Sequence, residues 1–218
     1  DPPAPPALRA GRSKAGRYWS HVLLGSVAVG VVFALVLGHT SSELIGALAT
    51  EVTKVLTQLR GESQLSGEEL DKLQVALVPT LTGVMASSLQ VTCLLCLMLA
   101  RYWQASLYNP GGFGREFRSL RLAPAVAVIL LLGAVVVPAL EVQAAVLGPL
   151  CSVPLIIAGV ALGHGLIALK RLAGGWLVGL YLAVLLLGNL ICLLAVVDSL
   201  FDFRGRLARR QGSTNGEG

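Results

Sequence analysis

The fold is decided by stretches such as Leu73 to Ala100, which reads LQVALVPTLTGVMASSLQVTCLLCLMLA and contains no Asp, Glu, Lys or Arg. A helix needs roughly 17 to 25 mostly apolar residues to cross a bilayer. Four more charge-free stretches meet that length: Tyr18 to Ser42, Leu122 to Leu140, Val142 to Leu169 and Leu172 to Val197. The sequence therefore predicts an all-α, polytopic transmembrane helix bundle with about five spans.

The composition of the whole chain also favours a membrane protein. Of its 218 residues, 55% are apolar and 13% are charged, and the mean hydropathy is +0.74. Soluble domains carry about 25% charged residues, and their surface helices keep one polar face. The apolar stretches here have no such face, and the segments between them are too short to form a soluble catalytic domain.

The predicted organisation is a membrane bundle between two tails. Residues 1–17 form a tail or linker rich in Pro and Arg, residues 18–200 form the bundle, and residues 201–218 form a basic, disordered C-terminal tail. Because the first residue is Asp rather than Met, we expect further sequence upstream. The spans are placed at about residues 19–38, 78–100, 122–140, 147–169 and 175–197.

An amphipathic helical hairpin is predicted between the first two spans. Capping boxes that begin at Thr40 and Ser66 mark two helix starts. Apolar residues then recur at helical spacing over about residues 41–60 and 67–77, and Pro79 is the expected kink. The hairpin either covers the bundle as a lid at the membrane surface, or it binds a partner or gates a substrate.

Orientation follows from the positions of Lys and Arg, since positively charged loops remain cytoplasmic. If the spans alternate, one side holds ten Lys and Arg residues against two acidic residues, and it also holds Trp19, Trp103 and Trp176. That side is predicted to be cytoplasmic. The same alternation places Arg204 and the arginines after it on the opposite side, against the rule.

Small residues recur every fourth position in several spans, which allows helices to approach closely. The two interpretations are packing inside the bundle and docking of a separate membrane subunit. The stripes are Ser26, Gly30, Ala34 and Gly38; Gly159 and Gly163; and Gly175 and Gly179.

Polar side chains within spans are costly and usually turn inward. Gln90 and Asn189 lie near the middle of their spans, at a depth that would allow their side chains to meet in the bundle. His164 is either a neutral structural histidine bonded to a backbone carbonyl, or a ligand contact or proton relay. The candidate ligand-binding residues are Ser88, Gln90, Thr92, His164 and Asn189. They form either hydrogen bonds between helices or a small-molecule pocket.

The most distinctive extramembranous stretch is the loop from Tyr108 to Arg118. Its Asn-Pro-Gly-Gly sequence predicts a tight turn that leads into a basic amphipathic helix. It lacks the Gly-Lys-Ser/Thr ending of a phosphate loop, so we do not expect nucleotide binding. We expect this loop either to rest on anionic lipid or to dock a partner through Asn109, Pro110, Gly111, Gly112, Phe113, Arg115 and Arg118.

Motifs for catalysis and metal binding are missing from the sequence. Cys93-x-x-Cys96 has no second pair of cysteines and no accompanying His or Asp cluster. Asp198 and Asp202 lie one helical turn apart, but an ion pair from Asp202 to Arg206 is a simpler expectation than a metal site. We predict no enzymatic activity, no cofactor, no metal and no nucleic-acid partner.

The run from Arg101 to Phe113, RYWQASLYNPGGF, resembles the signature loop of the YybS-like bacterial membrane proteins. Gly159-x-x-x-Gly163-His164 and the closing Asp198 to Arg204 are also similar to that family. The family is distantly grouped with the substrate-capturing S-components of energy-coupling-factor transporters. The resemblance implies a multi-pass protein of the bacterial inner membrane that binds a small solute and docks an ATPase-driven partner.

Two functional hypotheses follow. The leading one is binding or transport of a small solute, and the rival is a non-catalytic membrane scaffold that recruits cytoplasmic or membrane proteins. In both, the lipid bilayer surrounds the bundle.

Overall fold

A computed structural model describes residues 6–60 and 67–206, with side chains for residues 18–58 and 67–206. Within those ranges every regular element is a helix, which confirms the predicted all-α fold. Residues 6–17, expected in a tail, are instead the start of the first helix. Residues 1–5 of that tail and residues 207–218 of the predicted C-terminal tail lie outside the described residues.

The described helices follow one another with short connections. A π-helical turn at Leu132–Val136 separates α5 from α6, and a 3₁₀ turn at Val142–Val146 precedes α7. The α-helices are α1 Pro6–Thr40, α2 Ser42–Arg60, α3 Gly67–Tyr108, α4 Gly112–Ser119, α5 Pro124–Leu131, α6 Val137–Leu140, α7 Leu147–Leu169, α8 Gly175–Leu186 and α9 Gly188–Phe201.

Three described segments are individually long and apolar enough to cross a membrane: Tyr18–Thr40, Gly67–Tyr108 and Val142–Leu169. Two bent pairs raise the number to five if each pair counts as one span. One pair joins α4 to Pro124–Leu140 at 66°, and the other joins α8 to α9 at 108°. The predicted five spans are therefore the upper end of what the structure allows.

Both arms of the predicted hairpin are helical, and Gln74 Nε2 of α3 donates to Thr50 Oγ1 of α2 at 3.3 Å. The second arm is the start of α3, which enters the second predicted span as expected and continues through Pro79 for 42 residues in all. At 1.5 Å per residue α3 is about 63 Å long, roughly twice the hydrocarbon thickness of a bilayer. The first arm, α2, buries Ile45 and Ala49 and leaves Leu44 exposed.

The last predicted span, residues 175–197, is broken at Leu187. Helix α8 has 12 residues and α9 has 14, which correspond to about 18 Å and 21 Å. Neither helix alone reaches across a hydrocarbon core of about 30 Å. The 108° bend between them means that the two lengths do not add along one axis.

The chain divides into two compact units. Unit 1 contains Asp1–Gly25, Leu95–Leu131 and Pro154–Gly218, and its core includes Trp19, Leu23, Leu120 and Leu155. Unit 2 contains Ser26–Leu94 and Leu132–Val153. In unit 2, Ala34, Ala86 and Leu150 form a buried cluster against Val31, Phe33, Leu37 and Val146.

Candidate functional site

Unit 2 contains an apolar groove of about 290 Å³ that is open at its surface, where Leu35 is 69% exposed. We call this groove the cavity of unit 2. Its walls come from α1, from α3 around Pro79, and from the segment that leads into α7. Gly38 has no side chain and Ala34 has a small one, which leaves the space open beside α1. The lining residues are Val31, Ala34, Leu35, Gly38, Val78, Pro79, Thr82, Gln143, Val146, Leu147 and Leu150, and none of them is charged.

Two polar side chains line this cavity. The Thr82 hydroxyl donates to the Val78 carbonyl of its own helix at 2.9 Å, so its hydrogen is already used. The Gln143 side chain is exposed. The cavity therefore offers apolar walls, the side-chain amide of Gln143 and the acceptor lone pairs of the Thr82 hydroxyl.

Gln90 lies in the helix-packing core of unit 2 and not in the cavity lining. Its Nε2 donates to Ser26 Oγ at 3.0 Å and to the Leu150 carbonyl at 3.3 Å. Its Oε1 is buried and has no hydrogen-bond partner among the described residues. A Cβ atom at Gly30 would lie 3.2 Å from that oxygen and 2.6 Å from Leu150 Cδ2. This part of the small-residue stripe thus packs inside the unit.

Ser88 and Thr92 of α3 do not share the buried position of Gln90. The Ser88 and Thr92 hydroxyls donate to carbonyls of their own helix, Met85 O at 2.7 Å and Ser88 O at 2.9 Å. Both side chains are exposed, because two residues along a helix correspond to about 200° of rotation away from buried Gln90. Asn189 is an exposed residue of α9 in unit 1. Ser88 and Thr92 thus do not face the buried side of α3 that carries Gln90, and a small-molecule pocket that includes His164 and Asn189 stays a prediction.

His164 connects three helices of unit 1. Its Nδ1 lies 3.0 Å from the Val160 carbonyl and donates to it, which leaves Nε2 as the acceptor facing the Tyr181 hydroxyl at 3.5 Å. Its ring also packs edge-on against Phe117, with centroids 5.5 Å apart. Both ring nitrogens therefore have partners within the protein, which agrees with the interpretation of His164 as a structural histidine.

The Asn-Pro-Gly-Gly turn forms as predicted. Gly112 N donates to Asn109 O at 2.8 Å, and Gly111 has φ 75°, a left-handed conformation that favours glycine. Arg101 then fixes α4 to α3 through both oxygens of Glu116, at 3.1 and 2.7 Å. The Arg115 and Arg118 side chains remain exposed on this fixed helix.

A buried ion pair closes unit 1 and was not expected from the sequence. Arg204 contacts Asp198 Oδ2 through Nε at 3.1 Å and Nη2 at 2.8 Å, and the Asp198 side chain is 2% exposed. Arg204 also donates to the Arg118 and Leu120 carbonyls, each at 2.7 Å. One guanidinium thus joins the end of α9 to the loop after α4.

Helix α9 ends at Phe201, and the Asp202 carboxylate pairs with Arg121 at 2.9 Å. The Arg206 N–H donates to the Asp202 carbonyl at 3.0 Å, so these two residues keep a helical i, i+4 backbone contact. The expected ion pair from Asp202 to Arg206 stays a prediction. Asp202 and Arg204 contact Arg118, Leu120 and Arg121 directly, so two segments that the predicted alternation assigns to opposite sides lie together in unit 1.

Comparisons with known proteins give no related protein whose site could be compared with this one. No protein-family model, no curated protein and no solved structure matches the chain. Among the described residues, no group of three His, Cys, Asp or Glu side chains could hold a metal ion. The resemblance to YybS-like proteins stays a prediction, and the cavity of unit 2 is the candidate site that the geometry supports best.

Proposed function

We propose that this chain is a non-catalytic integral membrane protein that binds a small apolar or amphipathic solute in the cavity of unit 2. The observation that supports the proposal is the cavity itself, about 290 Å³ in volume and without a charged residue in its lining. Ligand sites commonly measure about 300 to 1,000 Å³, with mostly apolar walls and few polar groups. The cavity volume lies just below the lower limit of that range.

The lining restricts the chemistry of the solute. A charged ligand would have no counter-charge within the cavity, and burying an unpaired charge is costly. A hydrocarbon body would contact Val31, Leu35 and Val78, and a hydrogen-bonding group would reach Gln143. A transport role beside an ATPase partner in a bacterial inner membrane is the further step of the proposal, and it rests on the resemblance to YybS-like proteins.

A membrane scaffold is the second candidate function. The observation that favours it is the fixed position of α4, which presents Arg115 and Arg118 on an exposed face. A scaffold would lose its partner when both arginines are replaced by glutamate. The solute-binding protein would keep its ligand in the same variant, because α4 contributes nothing to the cavity lining.

Filling the cavity tests the leading proposal. We expect Gly38→Phe to place a ring in the cavity, since a Cβ atom at Gly38 meets no atom within 4 Å. The probe is a photoactivatable diazirine derivative of decanol, and its cross-links are mapped by peptide mass spectrometry. Cross-linking at Leu35 and Val78 should fall about tenfold in the variant, which corresponds to a loss of ~1.4 kcal/mol of binding free energy.

Gly25→Phe is the matched control for this substitution. Gly25 lies in the same helix, is also open within 4 Å, and does not line the cavity. Its cross-linking should equal that of the wild type. Equal cross-linking in the two phenylalanine variants would contradict binding in the cavity.

A further inference from the structure

We propose that unit 1 carries a binding surface for the phosphate headgroups of anionic lipids, and that the segment after α9 is part of it. We call this surface the basic end. It consists of Arg115, Arg118, Lys170, Arg171 and Arg206, all of which are exposed. The inference goes beyond solute binding because it concerns the other unit and a different ligand.

The acidic side chains of the described part of unit 1 are already paired. Glu116 pairs with Arg101, Asp198 with Arg204 and Asp202 with Arg121, at 2.7, 2.8 and 2.9 Å. No ion pair is seen within the described residues for any cation of the basic end. The basic end therefore keeps its positive charge.

Hydrogen bonds orient two of these cations without neutralising them. Arg115 Nη2 donates to Asn109 Oδ1 at 3.1 Å, and Arg118 Nε donates to the Gly114 carbonyl at 2.9 Å. Both acceptors are uncharged. Each guanidinium keeps further N–H groups for a phosphate, an anion that arginine binds well.

The segments that carry these cations converge at one end of the unit. Arg204, two residues before Arg206, donates to the Arg118 carbonyl at 2.7 Å. A Cβ atom at Gly165 would lie 3.0 Å from the same carbonyl. Lys170 follows Gly165 by five residues, or about 7.5 Å along the helix. The α4 loop, the end of α7 and the segment after α9 thus present their charges together.

Exposed aromatic residues place this end at the headgroup level and favour lipid over a soluble acidic protein. Tyr18, Trp103, Tyr108 and Trp176 of unit 1 are all exposed. Trp and Tyr concentrate where the hydrocarbon meets the headgroups, and Lys and Arg at that depth attract anionic lipids. An anionic lipid surface therefore suits both the exposed aromatic rings and the positive charges, whereas a soluble acidic protein suits only the charges.

Lipid retention by the full chain tests the surface. The variant replaces Arg115, Arg118, Lys170 and Arg171 by glutamine, and the protein is equilibrated with equal amounts of phosphatidylglycerol and phosphatidylcholine. Native mass spectrometry should show a preference for phosphatidylglycerol in the wild type. We expect that preference to fall about tenfold or more in the variant, since each cation near an anionic surface contributes about 1 kcal/mol.

The control variant is Lys54→Gln with Lys72→Gln. These two lysines are equally exposed, but they pair with Glu51 and Glu68 in unit 2. The control should retain phosphatidylglycerol as the wild type does. An unchanged preference in the four-site variant would overturn the proposal, as would an equal loss in the control.

Two further measurements do not depend on how well the four-site variant folds. Raising the salt concentration should weaken the phosphatidylglycerol preference of the wild type, because exposed charges are screened. In a cysteine-free background, Arg206→Cys and Arg115→Cys should react with a membrane-impermeant maleimide from the same side. Labelling from opposite sides, or a preference insensitive to salt, would refute the proposed surface.

Discussion

Replacement of Arg204 by methionine is expected to lower the free energy of unfolding by about 3–5 kcal/mol, the range for removing one partner of a buried ion pair. The variant leaves the Asp198 carboxylate, which is 2% exposed, without its counter-charge. It also leaves the Arg118 and Leu120 carbonyls without the donors that now reach them at 2.7 Å. Circular dichroism during unfolding in mixed micelles measures the change.

Lys72→Met is the control for that variant. It breaks the ion pair between Lys72 and Glu68, and the side chains of these two residues are 73% and 78% exposed. The free energy of unfolding should therefore fall by less than about 1 kcal/mol. Arg204→Met combined with Asp198→Leu should recover part of the stability, because no unpaired charge then remains buried. Similar losses in Arg204→Met and Lys72→Met would show that the buried pair does not hold unit 1 together.

Features set by local chemistry could be predicted from the sequence. The charge-free stretches were expected to be helical because a backbone in hydrocarbon must satisfy its own hydrogen bonds, and they are helical in the structure. Helices α2 and α3 begin where the capping boxes predict, within two residues. The turn before α4 was predictable because Gly111 takes the left-handed conformation that an Asn-Pro-Gly-Gly sequence favours.

Features set by tertiary contacts could not be predicted in this way. A charge-free stretch has the same hydropathy whether it is straight or bent, so the break at Leu187 gave no signal. Arg204 follows a left-handed residue, Asp202, and its side chain reaches carbonyls more than 80 residues away in sequence. One signal was available in Asp198, a carboxylate directly after an apolar stretch, which requires a partner.

The candidate site shows the same limit. Ser88, Gln90 and Thr92 were grouped because they are polar, although residues two apart face opposite sides of a helix. The small-residue stripes were more informative, since Gly30 and Gly159 both lie against neighbouring chain segments. A Cβ atom at Gly175 or Gly179 meets no atom within 4 Å. The spacing of small residues alone therefore does not identify which stripe packs against another helix.

Among the described glycines of unit 2, Gly83 makes the tightest backbone contact, and its substitution by leucine is expected to cost about 1–3 kcal/mol of stability or more. A Cβ atom there would lie 2.5 Å from the Val146 carbonyl oxygen and 2.9 Å from Val146 Cα. Side-chain rotation cannot relieve a clash with backbone, so α3 and the 3₁₀ turn would have to separate. Unfolding in mixed micelles again measures the loss.

Gly25→Leu controls for the loss of a helical glycine, because a Cβ atom at Gly25 meets nothing within 4 Å. Its stability should equal that of the wild type or exceed it, since leucine favours a helix more than glycine does. Val146 also lines the cavity, so separation at Gly83 should redistribute diazirine cross-links around Val78 while Gly25→Leu keeps the wild-type pattern. Equal stability of the two leucine variants would mean that α3 and the 3₁₀ turn do not pack this closely in the membrane.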